Sequence, residues 1–229
     1  MRILNVTAQK PNSTGSGIFL SELMKEFANK GHTQALVAGV YPEEETPVPD
    51  RVTFYPVYFE QGKLSFPIVG MSDEMPYPST RYRDMTPKME AAFKDSFLKQ
   101  LDEAVRDLNP DLILCHHLYL LTAIVREHFP DRKVFGFCHN TDLRQMQKTD
   151  LEREYITGQI RRLDRIFALH AEQKRTIQDI YDVPKEKIQV IGMGYNSHIF
   201  KNESLRVNDG VTRIAFAGKI SVKKGVESL

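Results

Sequence analysis

Short apolar, β-branched runs alternate with amphipathic stretches of helical period along almost the whole chain. That alternation constrains the fold more than any other feature. Residues 2–7 (RILNVT), 34–40 (QALVAGV), 111–115 (DLILC), 133–138 (KVFGFC), 165–170 (RIFALH) and 187–192 (KIQVIG) read as buried strands. Residues 18–31 place Leu20, Leu23, Met24 and Phe27 on one helical face, and Gly31 supplies a stop. Residues 88–108 carry a longer stripe, Met89, Phe93, Phe97, Leu101, Val105 and Leu108, with charged residues opposite. Asn109-Pro110 ends that helix, and further helices are expected over 118–128, 150–163 and 171–181. Strands separated by helices predict an α/β fold with a doubly wound, Rossmann-like parallel sheet. Residues 52–59 form one more strand, which Pro56 assigns to a sheet edge or a bulge. Residues 60–87, punctuated by Pro67, Pro76, Pro78 and Pro87, read as a surface excursion that forms a binding lip.

At 229 residues the chain exceeds one ordinary domain. Residues 196–211 are polar and irregular. The expected organisation is a domain over 1–195, a linker over 196–211 and a new unit over 212–229. That unit opens with a strand at 213–220 (RIAFAGKI) and ends on GVESL, which reads as the first turn of a helix. A strand and half a helix cannot bury their own apolar faces, so a second domain is expected to continue beyond them.

Charge and composition exclude several classes. Thirty-one basic against thirty acidic residues leave a net charge of +1, which gives no support to nucleic-acid binding. The longest apolar stretch, residues 118–125, falls far short of the ~20 residues that span a bilayer. The N-terminal apolar run is too short for a signal peptide, so a cytoplasmic protein is expected, with peripheral membrane contact left open. Two cysteines, Cys115 and Cys138, make no disulfide framework.

Ligands of doubly wound sheets sit beyond the carboxyl ends of the strands. The first strand delivers Gly15-Ser16-Gly17 to the mouth of a helix, where free N–H groups suit a phosphate or a sugar hydroxyl. This is not a dinucleotide fingerprint. Leu20 holds the third glycine position, and the second strand ends Ala38-Gly39-Val40-Tyr41, without the acidic residue a ribose needs. The fourth and fifth strands deliver Cys115-His116-His117 and Cys138-His139-Asn140-Thr141-Asp142. Successive strand residues point to opposite faces, so Cys115, His116 and His117 are not expected to converge, and no metal site is expected. His139, just past an apolar strand, is the candidate for chemistry. Asp142, Arg144 and Gln145 offer polar groups suited to acceptor hydroxyls or a phosphate. Near the end, Gly218, Lys219 and Lys224 surround another strand-to-helix turn, where two lysines could clamp a diphosphate.

The order of these motifs resembles a known family. A Gly-x-Gly loop follows strand one, a His-containing loop follows strand five, and VIGMGYNSHIF (190–200) and FAGKISVKKGV (216–226) come later. This resembles the N-terminal domain of the retaining GT-B glycosyltransferases of group 1, the glycosyltransferase family 4-like enzymes. The resemblance implies a two-domain enzyme with a cleft, whose N-terminal domain binds mainly the acceptor. It implies transfer of a sugar, with retention, from a UDP- or GDP-linked nucleotide-sugar to a glycan, lipid or small-molecule hydroxyl, without cofactor or metal. Gly15 and Gly17 then match the glycine loop near the donor phosphates. His139 matches a catalytic histidine near the reacting sugar, and Lys219 and Lys224 match the basic pair on the diphosphate. Lys219 stands where the family usually has Arg, Asn196 where it has Asp, and His170 where Ser is common. The family's Glu-x7-Glu motif is expected beyond Leu229, in a C-terminal domain supplied in cis. The chain alone is therefore expected to be inactive. Two other readings stand beside this one: a non-catalytic sugar- or nucleotide-binding Rossmann module, and a thiol- or zinc-dependent regulator built on the Cys/His cluster.

Overall fold

A computed structural model describes residues 1–43, 46, 48–201, 210–216 and 225–226. Two compact units divide the chain, Met1–Gly194 and Tyr195–Leu229. The first holds seven parallel strands: β1 (Arg2–Thr7), β2 (Thr33–Val40), β3 (Val52–Tyr58), β6 (Leu112–His116), β7 (Val134–Phe137), β8 (Arg165–Ala168) and β9 (Ile188–Val190). Their spatial order is β3-β2-β1-β6-β7-β8-β9. The chain runs outward from β1 in one direction, then returns to β6 on the other side. The crevice at that reversal is where such sheets bind ligands. Pro56 lies on β3, at the sheet edge, where its missing N–H breaks no interior ladder.

The alternation of side chains sorts the strands onto two faces. Leu4, Val6, Ala35, Val37, Ile113, Cys115, Val134 and Ile166 point to one face, in the main core. Against that face packs α2 (Pro87–Leu108), whose Phe93, Phe97, Leu101 and Ala104 are fully buried. Burying each of the two phenylalanines contributes roughly 1.5–3 kcal/mol. Thr86 caps α2 by accepting from the Met89 N–H at 3.3 Å, Pro87 opens its first turn, and Asn109 closes it in the left-handed region at φ 44°. The same core takes α3 (Leu120–His128), α5 (Arg153–Arg161) and α6 (Ala171–Tyr181). On the opposite face, α1 (Gly15–Asn29) sets Leu20 and Met24 against Leu36 and Ala38, and Phe19, Leu23 and Phe27 against Ile3, Leu114 and Phe137.

Two segments differ from the sequence reading. Residues 60–87 are not merely a surface excursion: Leu64, Ile68, Val69, Met71, Tyr82 and Met85 are buried in the main core. The segment pairs β4 (Val69–Gly70) with β5 (Thr80–Arg81). The Tyr41 hydroxyl accepts from the Ile68 N–H and donates to the Pro78 carbonyl, and Tyr82 packs edge-on against Tyr119 at 4.7 Å. The second difference is a helix, α4 (Thr141–Lys148), where a polar loop was expected. No described helix is long and apolar enough to cross a membrane.

Within the second unit, Asn196 organises a turn, accepting from the backbone N–H groups of His198, Ile199 and Phe200. Residues 211–216 carry no regular secondary structure. The rest of the strand expected over 213–220 lies outside the described residues, as do Gly218, Lys219 and Lys224.

Candidate functional site

A cleft of about 330 Å³ opens at the carboxyl end of the sheet. The segment after β1 contributes Gln9, Thr14, Gly15, Ser16 and Phe19. The 60–87 segment brings Met71, Ser72, Glu74, Met75 and Pro76. His139 and Thr141 come from the end of β7, with Leu169 after β8 and Met193 beyond β9. The cleft is thus apolar on several sides, with polar groups concentrated at the start of α1 and around His139.

The start of α1 lies further forward than the sequence suggested, because Thr14 caps it and Gly15-Ser16-Gly17 form its first turn. The Thr14 Oγ1 accepts from the Gly17 N–H at 3.1 Å. The two glycines have different reasons to be glycine. A Cβ on Gly17 would stand 2.8 Å from the Asn12 backbone N and 3.2 Å from the Lys10 carbonyl. Gly17 therefore lets the helix seat against its own loop. Gly15 is exposed, lines the cleft, and has open space where a Cβ would go. Of the expected pair, Gly15 borders the cleft, whereas Gly17 is consumed by the fold. Gln9 is a site residue the sequence reading missed. It is buried, its Oε1 accepts from Ser16 Oγ at 3.5 Å, and its Nε2 has no partner among the described residues. Nothing in its local sequence separates it from an ordinary loop glutamine.

His139 lies where the sequence placed it, past the end of β7 and facing the cleft. Phe19 meets its ring edge-on, with centroids 5.5 Å apart. Burial drives its pKa from the ordinary 6.5 down to about 4, so the ring is neutral near pH 7. His116 and His117 are also buried and held well below the ordinary value, by burial first and by neighbouring histidines second. The three residues of Cys115-His116-His117 do not all converge, but the two histidines both come close to His139. His116 Nδ1 lies 3.1 Å from His139 Nε2, and the His117 ring centroid is 4.8 Å from that of His139. The strand has already ended at His117, whose φ of 72° turns the chain. Cys115 points into the main core. Burial pushes its thiol up to about 12 and the Cys138 thiol well above its usual range, so both are held as thiols. Among the described residues, no three of His, Cys, Asp and Glu are grouped as a metal ion would require.

The three residues expected to meet an acceptor are placed differently. Asp142 is fully buried. Its carboxylate accepts from the backbone N–H groups of Leu118 at 2.8 Å, His139 at 3.3 Å and Leu143 at 3.1 Å, and from the Cys138 thiol. It ties the loop after β6 to the loop after β7, and this clasp leaves it no surface for an acceptor. Burial raises its pKa, and those N–H groups work against the rise. Gln145 is also buried, and its Nε2 donates to the Met71 carbonyl at 3.0 Å, pinning the 60–87 segment to α4. Arg144 is exposed on α4 and does not line the cleft. His170, where the resemblance led one to expect Ser, caps α6: its Nδ1 accepts from the Gln173 N–H at 3.2 Å. It does the work of a serine cap with a ring nitrogen.

Comparison with known proteins bears on this arrangement. The family model described as Glycosyltransferase Family 4 matches residues 13–198. No curated protein matches the chain. Among solved structures, sucrose-phosphate synthase from Thermosynechococcus elongatus is similar with a TM-score of 0.63 at 11% identity, over 87% of this chain and 50% of that one. The N-terminal domain of trehalose-6-phosphate phosphatase from Candida albicans is similar with a TM-score of 0.53 at 17% identity, over 86% and 49%. The chain spans about half the length of each. Sheet order, crevice and a family match running from the α1 cap past the last strand agree: the chain belongs to Glycosyltransferase Family 4, with the Rossmann-like N-terminal architecture of the GT-B glycosyltransferases.

Proposed function

We propose that this chain is the acceptor-side part of a retaining glycosyltransferase. It moves a sugar from a UDP- or GDP-linked donor to a hydroxyl acceptor. The observation that carries the reading is the meeting of the α1 N-terminus and His139 across one cleft at the sheet reversal. Departure of a nucleoside diphosphate builds negative charge. Free N–H groups and the positive end of a helix dipole near Gly15 stabilise that charge where it develops. Lys219 and Lys224 add cations to the same diphosphate in this reading. His139, neutral at physiological pH, is the hydrogen-bonding group beside the reacting sugar. The apolar wall of Phe19, Met71, Met75 and Pro76 suits the face of a sugar ring and excludes water from it. The 60–87 segment sets acceptor selectivity.

Residues 1–195 act as the acceptor-side domain, 196–211 as the linker and 212–229 as the start of a donor-binding domain supplied in cis. The chain without that domain turns over nothing, and the enzyme works in the cytoplasm without metal or cofactor. The test is to offer the complete reading frame UDP- and GDP-sugars with lipid, glycan and small-molecule acceptors. The anomeric configuration of any product is then read by NMR. A product with the donor's configuration is expected. An inverted product removes retention, and no product with any pair removes the enzyme reading.

A further inference from the structure

His116 is the residue whose surroundings the proposed chemistry does not use. It is 3% exposed, and its ring stacks on Phe137 with centroids 5.0 Å apart and planes 12° from parallel. Its Nδ1 lies 3.1 Å from His139 Nε2, while its own Nε2 is buried without a partner among the described residues. A bond between two neutral imidazoles needs one N–H and one lone pair, so the two rings must choose complementary tautomers. There are two choices. If His116 accepts at Nδ1, its proton sits on Nε2, as a buried N–H with no acceptor. If His116 donates from Nδ1, the unpartnered Nε2 is only a lone pair. Buried N–H groups without an acceptor are the rarer and costlier defect. The second choice therefore wins.

We propose that His116 is a positioning residue: its Nδ1–H donates to His139 Nε2 and fixes the His139 proton on Nδ1. The remaining ring nitrogen of His139, Nδ1, is then a hydrogen-bond donor. Resting on the reading that this cleft holds a sugar, His139 donates to a substrate oxygen and does not take a proton from the acceptor hydroxyl. The fixed tautomer also explains why a polar residue occupies the end of β6, on the face otherwise given to Leu112 and Leu114.

The experiment is two-bond ¹⁵N correlation spectroscopy of the histidine rings in this chain, without substrate. It compares the native protein with His116→Phe and His116→Asn. Phenylalanine keeps the ring on Phe137 and removes the donor. Asparagine returns an amide N–H near the position of Nδ1. The expected result is a dominant Nδ1–H signature for His139, a shift to mainly Nε2–H in His116→Phe, and recovery in His116→Asn. A native His139 carrying its proton on Nε2 overturns the proposal, even if the Phe variant does not fold. So does an Nδ1–H signature that survives in His116→Phe. Because no substrate is present, the tautomer is judged separately from sugar transfer: an Nδ1–H His139 in a protein that transfers no sugar sinks the function and leaves the tautomer standing.

Discussion

Acidification should unfold this protein through His139, and the size of the effect follows from its burial. The ring's pKa is 6.5 when exposed and about 4 in the folded chain. Between those values the unfolded chain binds more protons than the folded one. The contribution is therefore fully present above pH 6.5 and is lost as the pH falls through the window down to about 4. Lowering the pH from about 7 to about 5 favours unfolding by about 2 kcal/mol through this one ring. His116 and His117 push the same way, since burial depresses both. Asp142, whose pKa is raised, pushes the opposite way. A His139→Gln variant removes the His139 contribution together with the part of the His116 and His117 shifts that His139 causes. Glutamine keeps a polar atom near Nε2 for His116, does not titrate, and leaves Asp142 in place. Urea denaturation at both pH values, followed by circular dichroism, should show the native protein losing about 2 kcal/mol more than the variant. Equal losses in the two would refute the claim that a half-buried, neutral His139 sets this part of the acid sensitivity.

The clasp and the loop ties give further expectations. Asp142→Ala leaves the N–H groups of Leu118, His139 and Leu143 without their acceptor, and should cost about 3 kcal/mol or more by denaturant unfolding. Gly17→Ala drives a Cβ against backbone atoms of Asn12 and Lys10 and should cost roughly 1–3 kcal/mol. Gly15→Ala meets open space and should stay within about 0.5 kcal/mol; equal costs at the two glycines would contradict their assigned roles. Gln145→Ala releases the Met71 carbonyl and should speed amide exchange over residues 68–76 while leaving β1 and β6 unchanged.

Much of this architecture can be read from the sequence because parallel strands are buried on both faces and so appear as unbroken apolar runs. β1 was bounded to the residue, and Pro56 located the sheet edge. What was hidden depended on tertiary partners. α4 is short and mostly polar, and only Leu143 and Met146, three apart, hint at a buried side. The prolines of 60–87 concealed that Ile68, Met71 and Tyr82 are drawn into the core. Asp142 and Gln145 looked like ligands for a substrate because polar side chains are usually exposed. Their partners include backbone groups far away in sequence, at Leu118 and Met71. Alternation correctly separates Cys115 from its neighbours, but it does not reveal that His117, in the left-handed region past the strand end, joins His116 beside His139. His139 and Gly15 were legible because strand ends and helix starts define where the crevice lies.

The measurement that reaches the central claim most directly is nucleoside diphosphate release by the complete reading frame, native against His139→Ala, at matched folded fraction. The account predicts a fall in turnover of about 10²-fold or more, with little change in the amount of folded protein, because a group stabilising the reacting sugar is lost. Unchanged turnover would remove His139 from the mechanism and, with it, the assignment of this cleft as the place of sugar transfer.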